Sequence, residues 1–332
     1  MVPHMRADGA PAPCTVPCDV CGATDVDELS RKDRDGSDLR TVICRQCGLV
    51  FSDPRPDSGE VRDYYEHSYR LDYKASYQPK ARHVYRAGKV ALDRVRRLAP
   101  ILRPGCRVLD VGAGGGEVVY VLRALGYEAS GFEPNEGYAR FASGVLKLPV
   151  THGFYQQARI EPGSQDVVTM FHVVEHFESP SDALRRAREW LRPDGRLLVE
   201  VPNVEAVCQW PHSRFHRAHL YNFSPATLEM AGIKAGYGVV SSVLSPDGGN
   251  ITVLFHKRNA PAPVSGGIPG NYERVRSIVL RHTPLRHLFS AYPYSRLIRK
   301  VAAQFEERRE AQKAVAPQEI LDGLVARELE RR

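Results

Sequence analysis

The residues with the clearest chemical potential lie in a glycine-rich segment near the middle of the chain. An acid and three glycines form the pattern D-x-G-x-G-x-G directly after an apolar run: Asp110, Gly112, Gly114 and Gly116. Glycines in a tight turn let the backbone approach a ligand closely, and a carboxylate at the end of the next strand can accept hydrogen bonds from ribose hydroxyls. Glu133 has that position, so the segment predicts an adenosine-bearing cofactor.

Two cofactor classes compete for this turn. A dinucleotide site requires G-x-G-x-x-G, but Glu117 occupies the third glycine position, where an acid would lie unfavourably against a pyrophosphate. S-adenosylmethionine (SAM) carries no phosphate, so Glu117 does not oppose its binding. We therefore expect SAM. A glycine turn without a ligand is disfavoured because the motif, the strand, the helix and the distal acid all agree.

The segment from about Lys80 to Lys257 resembles the class I SAM-dependent methyltransferases. The resemblance implies an α/β, Rossmann-like sheet of seven strands with helices on both faces and an antiparallel last pair. Phe154 departs from the family pattern, because it can flank an adenine ring but cannot accept a proton from its amine. The resemblance implies these cofactor contacts: Asp110, Gly112, Ala113, Gly114, Gly116, Glu133, Pro134, Phe154, Phe171 and His172.

A histidine-rich string, His172-Val-Val-Glu175-His176, directly follows the predicted fourth strand. H-x-x-E-H is also a zinc-protease signature, but that motif requires a long helix, which Ser179-Pro180 would interrupt. The string resembles the segment after strand four in small-molecule methyltransferases. There an imidazole can take the proton from the accepting hydroxyl.

The resemblance supplies three candidate bases and one orienting acid. His176 is the first candidate, His172 is the second, and Glu175 would orient a histidine. His219 is the third candidate, because it opens a stretch resembling the family element H-x-x-x-F-S/T-x-x-T-L, which forms part of a substrate wall. Hydrogen-bonded scaffolding of the loop is the alternative role for each of them.

Four cysteines form two C-x-x-C pairs separated by 22 residues: Cys18, Cys21, Cys44 and Cys47. Two such pairs can complete a tetrahedral site of thiolates, which selects Zn²⁺. Their spacing is close to that of zinc ribbons, so we expect a structural zinc ion. Cys14 is an alternative ligand to Cys18, and unmetalled thiols are the alternative state. Cysteines used in this way suit a reducing cytoplasm.

Bulk composition is that of an ordinary globular protein, with 332 residues, 42% hydrophobic content and a net charge of +7. No run is long and apolar enough to span a bilayer, and the N-terminus lacks an apolar signal core, so we expect a cytoplasmic protein without a membrane span. The basic surplus could attract RNA, although a solvated arginine-rich helical tail explains it as well.

The elements that must position these residues fall into six segments. Five tyrosines of the connector, between Tyr64 and Tyr77, could form a substrate wall or pack between two domains. We expect the C-terminal helices to dock on the core or to pair two copies of the chain as a homodimer, through a face with Leu297, Ile298, Val301 and Phe305. The predicted segments are a disordered start (1–13), a zinc ribbon (14–57), a tyrosine-rich connector (58–79), the methyltransferase core (80–258), a linker (259–270) and a helical extension (271–332).

The leading hypothesis for function is methyl transfer from SAM to a small hydroxyl-rich molecule. Cys-x-x-Cys pairs ahead of such a core are similar to methyltransferases acting on saccharides, nucleotide sugars and secondary metabolites. Some of those methylate carbon but carry a further C-terminal α/β domain, so O-methylation is favoured. The alternative is an rRNA or tRNA methyltransferase whose zinc ribbon binds RNA. A non-enzymatic binding module is disfavoured by the intact glycine turn.

Overall fold

The structure is a computed structural model that describes residues 15–55, 79–258, 266–312 and 316–331. The predicted disordered start, Cys14, the five tyrosines of the connector and residues 259–265 of the predicted linker lie outside the described residues. Contacts group the chain into two units. The first comprises Met1–Asp57, Phe171–Arg188 and Leu198–Arg296, and the second Ser58–Met170, Glu189–Leu197 and Leu297–Arg332.

A mixed seven-stranded sheet carries the glycine turn. Its strands are β4 (Arg107–Val111), β5 (Glu128–Glu133), β6 (Val150–His152), β7 (Gln165–Phe171), β8 (Leu191–Pro202), β10 (Tyr237–Leu244) and β11 (Asn250–Lys257). They lie in the order β10-β11-β8-β7-β4-β5-β6. β4 pairs in parallel with β5 and β7, and β10 pairs antiparallel with β11. This confirms the predicted Rossmann-like methyltransferase fold, including its antiparallel last pair.

The central strands are apolar along nearly their whole length. Val108, Leu109, Val111, Val167 and Val168 are all buried. Continuous burial is typical of parallel strands covered by helices on both faces. The first helices along the chain are α1 (Ala81–Leu98), α2 (Glu117–Ala124), α3 (Glu136–Arg140, continued by a π-helical turn Phe141–Val145), α4 (Pro180–Trp190) and α5 (Pro225–Lys234).

A second, four-stranded sheet contains the cysteine pairs. The order is β1-β2-β3-β9, with β1 at Val26–Lys32, β2 at Asp38–Cys44, β3 at Val50–Ser52 and β9 at Tyr221–Asn222. β1 and β2 form the predicted hairpin, which turns at Gly36 with φ 84°. One strand of this sheet therefore comes from a distant part of the chain, which the sequence did not predict.

The N-terminal module shares a hydrophobic core with later elements of the first unit. Ile43 and Val50 pack with Val204, Phe215 and Val275. Val275 lies in α6 (Asn271–Arg281), which is followed by α7 (Pro284–Leu288), α8 (Tyr292–Ala311) and α9 (Pro317–Leu329). The module is thus held by apolar burial in addition to any metal ion.

The sequence predicts a turn at 192–195, a helix cap at Ser181 and another at Ser224, and the structure corrects the first two. The turn predicted at 192–195 lies within β8, since the fixed φ of Pro193 is compatible with extended backbone. Ser181 does not cap α4, which begins at Pro180. Ser179 caps it instead, because its Oγ accepts a hydrogen bond from the amide of Asp182 at 3.2 Å. By contrast, Ser224 caps α5 as predicted.

The last helix docks within the second unit. Leu321 and Leu324 of α9 are buried, and a Cβ at Gly88 of α1 would lie 2.7 Å from a methyl carbon of each leucine. This close approach requires glycine at position 88. In α8, by contrast, the predicted apolar face is largely exposed: Leu297, Ile298, Val301 and Phe305. Within the described ranges, no helix is both long and apolar enough to cross a membrane.

Candidate functional site

The glycine turn after β4 is built on left-handed backbone. Gly112, Gly114 and Gly116 have φ values of 70°, 58° and 85°, which residues with a Cβ rarely adopt. The amides of Gly112 and Ala113 donate to the carbonyl of Phe132 at 2.9 and 3.0 Å. The turn is therefore fastened to the end of β5, and its backbone can approach a ligand closely.

Asp110 lies at the base of this turn with its carboxyl group buried. The hydroxyl of Thr169 donates to its Oδ1 at 2.6 Å. Burial raises the pKa of Asp110 to about 7, and the Thr169 hydrogen bond opposes that shift. A Cβ at Gly131 would lie 2.7 Å from the carbonyl oxygen of Asp110, so the neighbouring strand must also carry glycine here. Thr169 and Gly131 are contributions that the motif alone did not reveal.

Glu133 ends β5 and faces the turn. Its Oε2 accepts from the amide of Gly114 at 2.8 Å, and its Oε1 accepts from the amide of Asn135 at 3.1 Å. The amide of Gly153 donates to the backbone carbonyl of Glu133 at 3.1 Å, which places Phe154 next along that loop. The carbonyl of Pro134 contacts His152 Nε2 at 2.9 Å. The structure thus gathers the predicted cofactor residues of this unit around one carboxylate.

The histidine-rich string forms a short turn rather than a long helix. A single 3-10 turn covers Val174–His176, directly after the end of β7 at Phe171, which is buried. His172 has a φ of 55°, an uncommon conformation for a residue with a Cβ. Its amide donates to the carbonyl of Glu200 at 2.8 Å. A zinc-protease helix is therefore not present in this segment.

Two carboxylates flank the His172 ring. Nε2 lies 3.3 Å from Glu200 Oε1, and Nδ1 lies 3.5 Å from Glu175 Oε1. Both acids are buried, whereas the His172 side chain is 35% exposed. The hydroxyl of Thr252 donates to the other oxygen of Glu200 at 3.4 Å. His172 therefore combines solvent access with two neighbouring negative charges.

His176 and His219 also lie close to Glu175. His176 Nδ1 is 2.7 Å from the carbonyl of Ala218, and its Nε2 is 3.9 Å from Glu175 Oε1. The rings of His176 and His219 are 4.9 Å apart. One ligand atom each of Glu175, His176 and His219 lies within 4.8 Å of the others. The structure brings all three candidate bases and the predicted orienting acid into one cluster.

The charges in this cluster are coupled. Burial alone would raise the pKa of Glu175, but His176 and His172 outweigh that effect and lower the pKa to about 2. Burial and the proximity of His176 place the pKa of His219 well below its ordinary value. The buried Glu175 carboxylate is therefore stabilised by nearby positive charge. Protonation of several neighbouring histidines at once is unfavourable because their charges repel.

His216 extends the cluster and was not predicted from the sequence. Its ring is 5.1 Å from the His219 ring, and its Nδ1 accepts from the amide of Ala218 at 2.9 Å. Burial, with a contribution from Arg34, lowers the pKa of His216 to about 4. His216 is therefore neutral and fixes the backbone beside His219.

The four cysteines of the two C-x-x-C pairs meet in one cluster. The sulfur atoms of Cys18 and Cys47 are 3.5 Å apart, and those of Cys21 and Cys44 are 3.4 Å apart. Four sulfurs bound to one Zn²⁺ would stand about 3.8 Å apart, so these residues fit the ion. Sulfur–sulfur hydrogen bonds raise the pKa of Cys18 and Cys47 and lower that of Cys21, so the thiols share protons when no cation is bound.

Both cysteine knuckles are anchored to other elements of the first unit. Asp19, in the first knuckle, accepts from the hydroxyl of Ser179 at 2.8 Å and from the amide of Ser181 at 2.9 Å. The side-chain amide of Asn271 donates to the carbonyl of Cys47 at 2.7 Å. The first knuckle thus supplies a carboxylate to the beginning of α4, which follows the histidine turn.

Residues 81–242 match the family described as a methyltransferase domain. A ubiquinone biosynthesis O-methyltransferase of Albidiferax ferrireducens is 26% identical over 162 residues, which are 44% of this chain and 59% of that protein. A 37.1 kDa protein in transposon TN4556 of Streptomyces fradiae is 27% identical over 248 residues, 68% of this chain and 66% of that protein. The chain therefore spans less than two thirds of the length of each of these relatives.

Part of the chain is also similar to solved structures. A chain from the complex of the Haloferax volcanii Trm112 methyltransferase activator with a methyltransferase is 15% identical, with a TM-score of 0.46. The alignment covers 54% of this chain and 96% of that one. The family match covers the strands from β4 to β8 and most of β10, but not β11.

Proposed function

We propose, from the premise that residues 81–242 form a SAM-dependent methyltransferase domain, that the chain transfers a methyl group from SAM to a small hydroxyl-rich acceptor. The observation that carries this proposal is the fastening of the glycine turn to Glu133, whose carboxylate accepts the Gly114 amide at 2.8 Å. This arrangement sets a close-approaching backbone beside a carboxylate, as an adenosine ligand requires.

In this proposal the chain supplies binding and orientation of the cofactor. The backbone of 112–116 would approach the amino-acid part of SAM, Glu133 would accept from the ribose hydroxyls, and Phe154 would flank the adenine. Asp110 would support the turn from below through its hydrogen bond to Thr169. SAM supplies the electrophilic methyl group. Placing an acceptor oxygen in line with that methyl provides most of the rate enhancement.

The geometry favours His172 as the base that removes the acceptor proton. Its side chain is 35% exposed, whereas that of His176 is 9% exposed and its Nδ1 is engaged by the Ala218 carbonyl. Glu175 and Glu200 flank the ring and would stabilise the imidazolium formed when the proton is taken up. The left-handed φ of His172 supports the same assignment, because uncommon backbone conformations are concentrated at functional sites.

In the sequence, His172 follows directly on the last residue of β7, Phe171. Asp110 of β4 pairs with Thr169 of β7, and His172 follows three residues after Thr169. Ligands of doubly wound sheets bind outside the carboxyl ends of the strands. His172 stands at that end of β7.

For the acceptor, we propose O-methylation of a saccharide, nucleotide sugar or secondary metabolite. The named relative is a ubiquinone biosynthesis O-methyltransferase, which supports oxygen as the methylated atom. A buried carboxylate–imidazole cluster is suited to accepting a hydroxyl proton. Methylation of rRNA or tRNA is the alternative, favoured by the net charge of +7 and by the cysteine module.

We further propose that Cys18, Cys21, Cys44 and Cys47 hold a structural Zn²⁺. Four thiolates close the coordination shell, so the ion would have no open position for a substrate. Its contribution would be to fix the knuckle that carries Asp19. A thiolate site of this kind is expected in a reducing compartment such as the cytoplasm.

The proposal is tested by methyl transfer from labelled SAM to a panel of acceptors, with the Gly114→Arg variant as the matched control. We expect transfer to a hydroxyl-bearing small molecule by the parent chain and none by the variant, whose side chain would fill the cofactor approach. Transfer to structured RNA alone would favour the alternative. Transfer to no member of either panel, despite cofactor binding, would contradict the proposed acceptor class.

A further inference from the structure

Glu175 is a buried carboxylate without a close hydrogen-bond partner among the described residues. It is 1% exposed, and among the described residues neither of its carboxylate oxygens has a hydrogen-bond partner. Burying a polar group without a partner costs several kcal/mol, and an unpaired charge costs more. The rings of His172 and His176, at 3.5 and 3.9 Å from Oε1, offset its charge and lower its pKa, but neither makes a close hydrogen bond to it.

A proton on His176 offsets the charge of Glu175 without forming a hydrogen bond to it. Its Nε2 is 3.9 Å from Glu175 Oε1, which is beyond hydrogen-bond distance. Its Nδ1, at 2.7 Å from the Ala218 carbonyl, carries the ring hydrogen in the neutral form, which leaves a lone pair on Nε2. That nitrogen, 3.9 Å from Glu175 Oε1, can coordinate a cation that the carboxylate also binds.

The distances allow such a cation. Ligand atoms bound to an ion at about 2.0–2.2 Å stand roughly 3–4 Å apart. The 3.9 Å between His176 Nε2 and Glu175 Oε1 meets that requirement, and His219 brings a third ligand atom within 4.8 Å of both. The hydrogen bond from His176 to a backbone carbonyl is also the usual support of a metal-bound imidazole.

We propose that Glu175, His176 and His219 bind a divalent first-row transition-metal ion, at a site separate from the four cysteines. Two imidazoles and one carboxylate suit Mn²⁺, Fe²⁺, Co²⁺ or Zn²⁺, whereas thiolates are absent from this set. The bound ion would give the buried carboxylate the direct contact that neither neighbouring histidine makes. This assignment differs from the zinc-protease motif, because its third ligand lies 43 residues after His176 and no long helix is involved.

Three protein ligands leave coordination positions open. If the proposed function holds, an acceptor hydroxyl would bind there, and the ligand Glu175 lies 3.5 Å from Nδ1 of the base His172. Oxygen coordination lowers the pKa of a hydroxyl, and two neighbouring hydroxyls could bind together. The site would then select acceptors with vicinal hydroxyl groups. Metal binding itself does not depend on methyl transfer.

The test is a titration of the zinc-saturated full chain with Mn²⁺, followed by electron paramagnetic resonance, without SAM or acceptor. Mn²⁺ prefers oxygen and imidazole ligands to thiolates, so a zinc-filled cysteine site does not compete. Co²⁺ serves as the second probe because its affinity for such sites is higher. We expect saturable binding that weakens at least about tenfold in Glu175→Gln and in His219→Ala.

His212→Ala is the matched control, because His212 is an exposed histidine of the same stretch and lies outside the cluster. Its affinity should equal that of the parent chain. Glu175→Gln removes the buried charge at nearly constant volume, so the metal-free variant should unfold at the same temperature as the parent or higher. Absence of saturable binding of both ions, or equal binding by all variants, would overturn the proposal. Neither result would bear on whether the chain binds SAM.

Discussion

At the residue scale, the decisive feature is the pair of buried carboxylates around His172. Glu200 lies 3.3 Å from Nε2 and Glu175 lies 3.5 Å from Nδ1, so both ring nitrogens face negative charge. An imidazole in this setting is oriented by its neighbours and its protonated form is stabilised. If Glu175 binds a metal ion, its charge is shared, and Glu200 becomes the principal partner of His172.

Replacement of His172 by Gln should therefore reduce kcat by about 10²–10⁴-fold while the affinity for S-adenosylhomocysteine stays unchanged. Glutamine keeps a polar side chain of similar reach but cannot take up the proton. Steady-state kinetics and calorimetry on the same preparation measure both quantities, with His212→Ala as the control. An unchanged kcat with the true acceptor would exclude His172 as the base.

Some of these residues could be identified from the sequence and others could not. Asp110, Gly114 and Glu133 lie within a single local motif, whose chemistry follows from spacing alone. Glu200 is 28 residues away from His172 and reaches it only because β8 returns to the sheet. His216 carries no pattern of its own, so only its ring contact with His219 in the structure reveals it.

At the element scale, the first cysteine knuckle and α4 are joined by Asp19. Its carboxylate accepts from Ser179 and from the Ser181 amide, where the free amides of the helix favour a negative charge. The knuckle thus acts as a cap supplied from 160 residues away. A capping residue so distant in sequence cannot be predicted from local helix signals.

Asp19→Ala should lower the free energy of unfolding by about 1–2 kcal/mol, as for the loss of a helix cap. Chemical denaturation measures this change. Asp25→Ala is the matched control, because Asp25 is an exposed acid near the same knuckle, and its replacement should cost less than about 0.5 kcal/mol. Equal effects of the two substitutions would contradict the capping role of Asp19.

His282, at the end of α6, makes the fold sensitive to acid. Its Nδ1 accepts from Arg214 Nη2 at 2.6 Å, which requires an unprotonated nitrogen. Burial, followed by the charge of Arg214, lowers the pKa of His282 to about 4. The folded state therefore binds this proton less readily than the unfolded state does. The contribution of neutral His282 to stability is complete above the ordinary pKa of about 6.5 and is lost as the pH falls toward 4.

His282→Asn should flatten this part of the pH profile, because the amide oxygen can accept from Arg214 but does not titrate. The melting temperature of the parent chain should fall between pH 6.5 and pH 4 by more than that of the variant. Thermal denaturation followed by circular dichroism at several pH values provides the measurement. Parallel profiles for the two proteins would show that His282 does not contribute.

At the scale of the whole molecule, the seven-stranded sheet was predictable because each strand and helix carries its own apolar pattern. The position of the C-terminal helices was not. The apolar pattern of α8 predicted burial, yet Phe305 is 70% exposed, while Arg86 of α1 pairs with Glu307 of the same helix at 2.5 Å. An ion pair therefore joins α8 to α1, and pairing of two chains through the exposed face of α8 stays a prediction.

The net charge of +7 does not by itself choose between a metabolite and an RNA acceptor. Binding to RNA depends on neutralised phosphates and weakens steeply with salt, whereas binding of a small neutral acceptor does not. The two classes of acceptor therefore differ in an observable that is independent of catalysis. Both nevertheless require the same cofactor site.

The most direct measurement is therefore calorimetric titration of the chain with S-adenosylhomocysteine, with and without a short structured RNA. We predict binding in the micromolar range that RNA leaves unchanged and that Gly114→Arg abolishes, while circular dichroism shows the variant to be folded. Coupled, salt-sensitive binding of cofactor and RNA would favour the RNA alternative. Absence of cofactor binding by the folded parent chain would contradict the assignment built on Asp110, the glycine turn and Glu133.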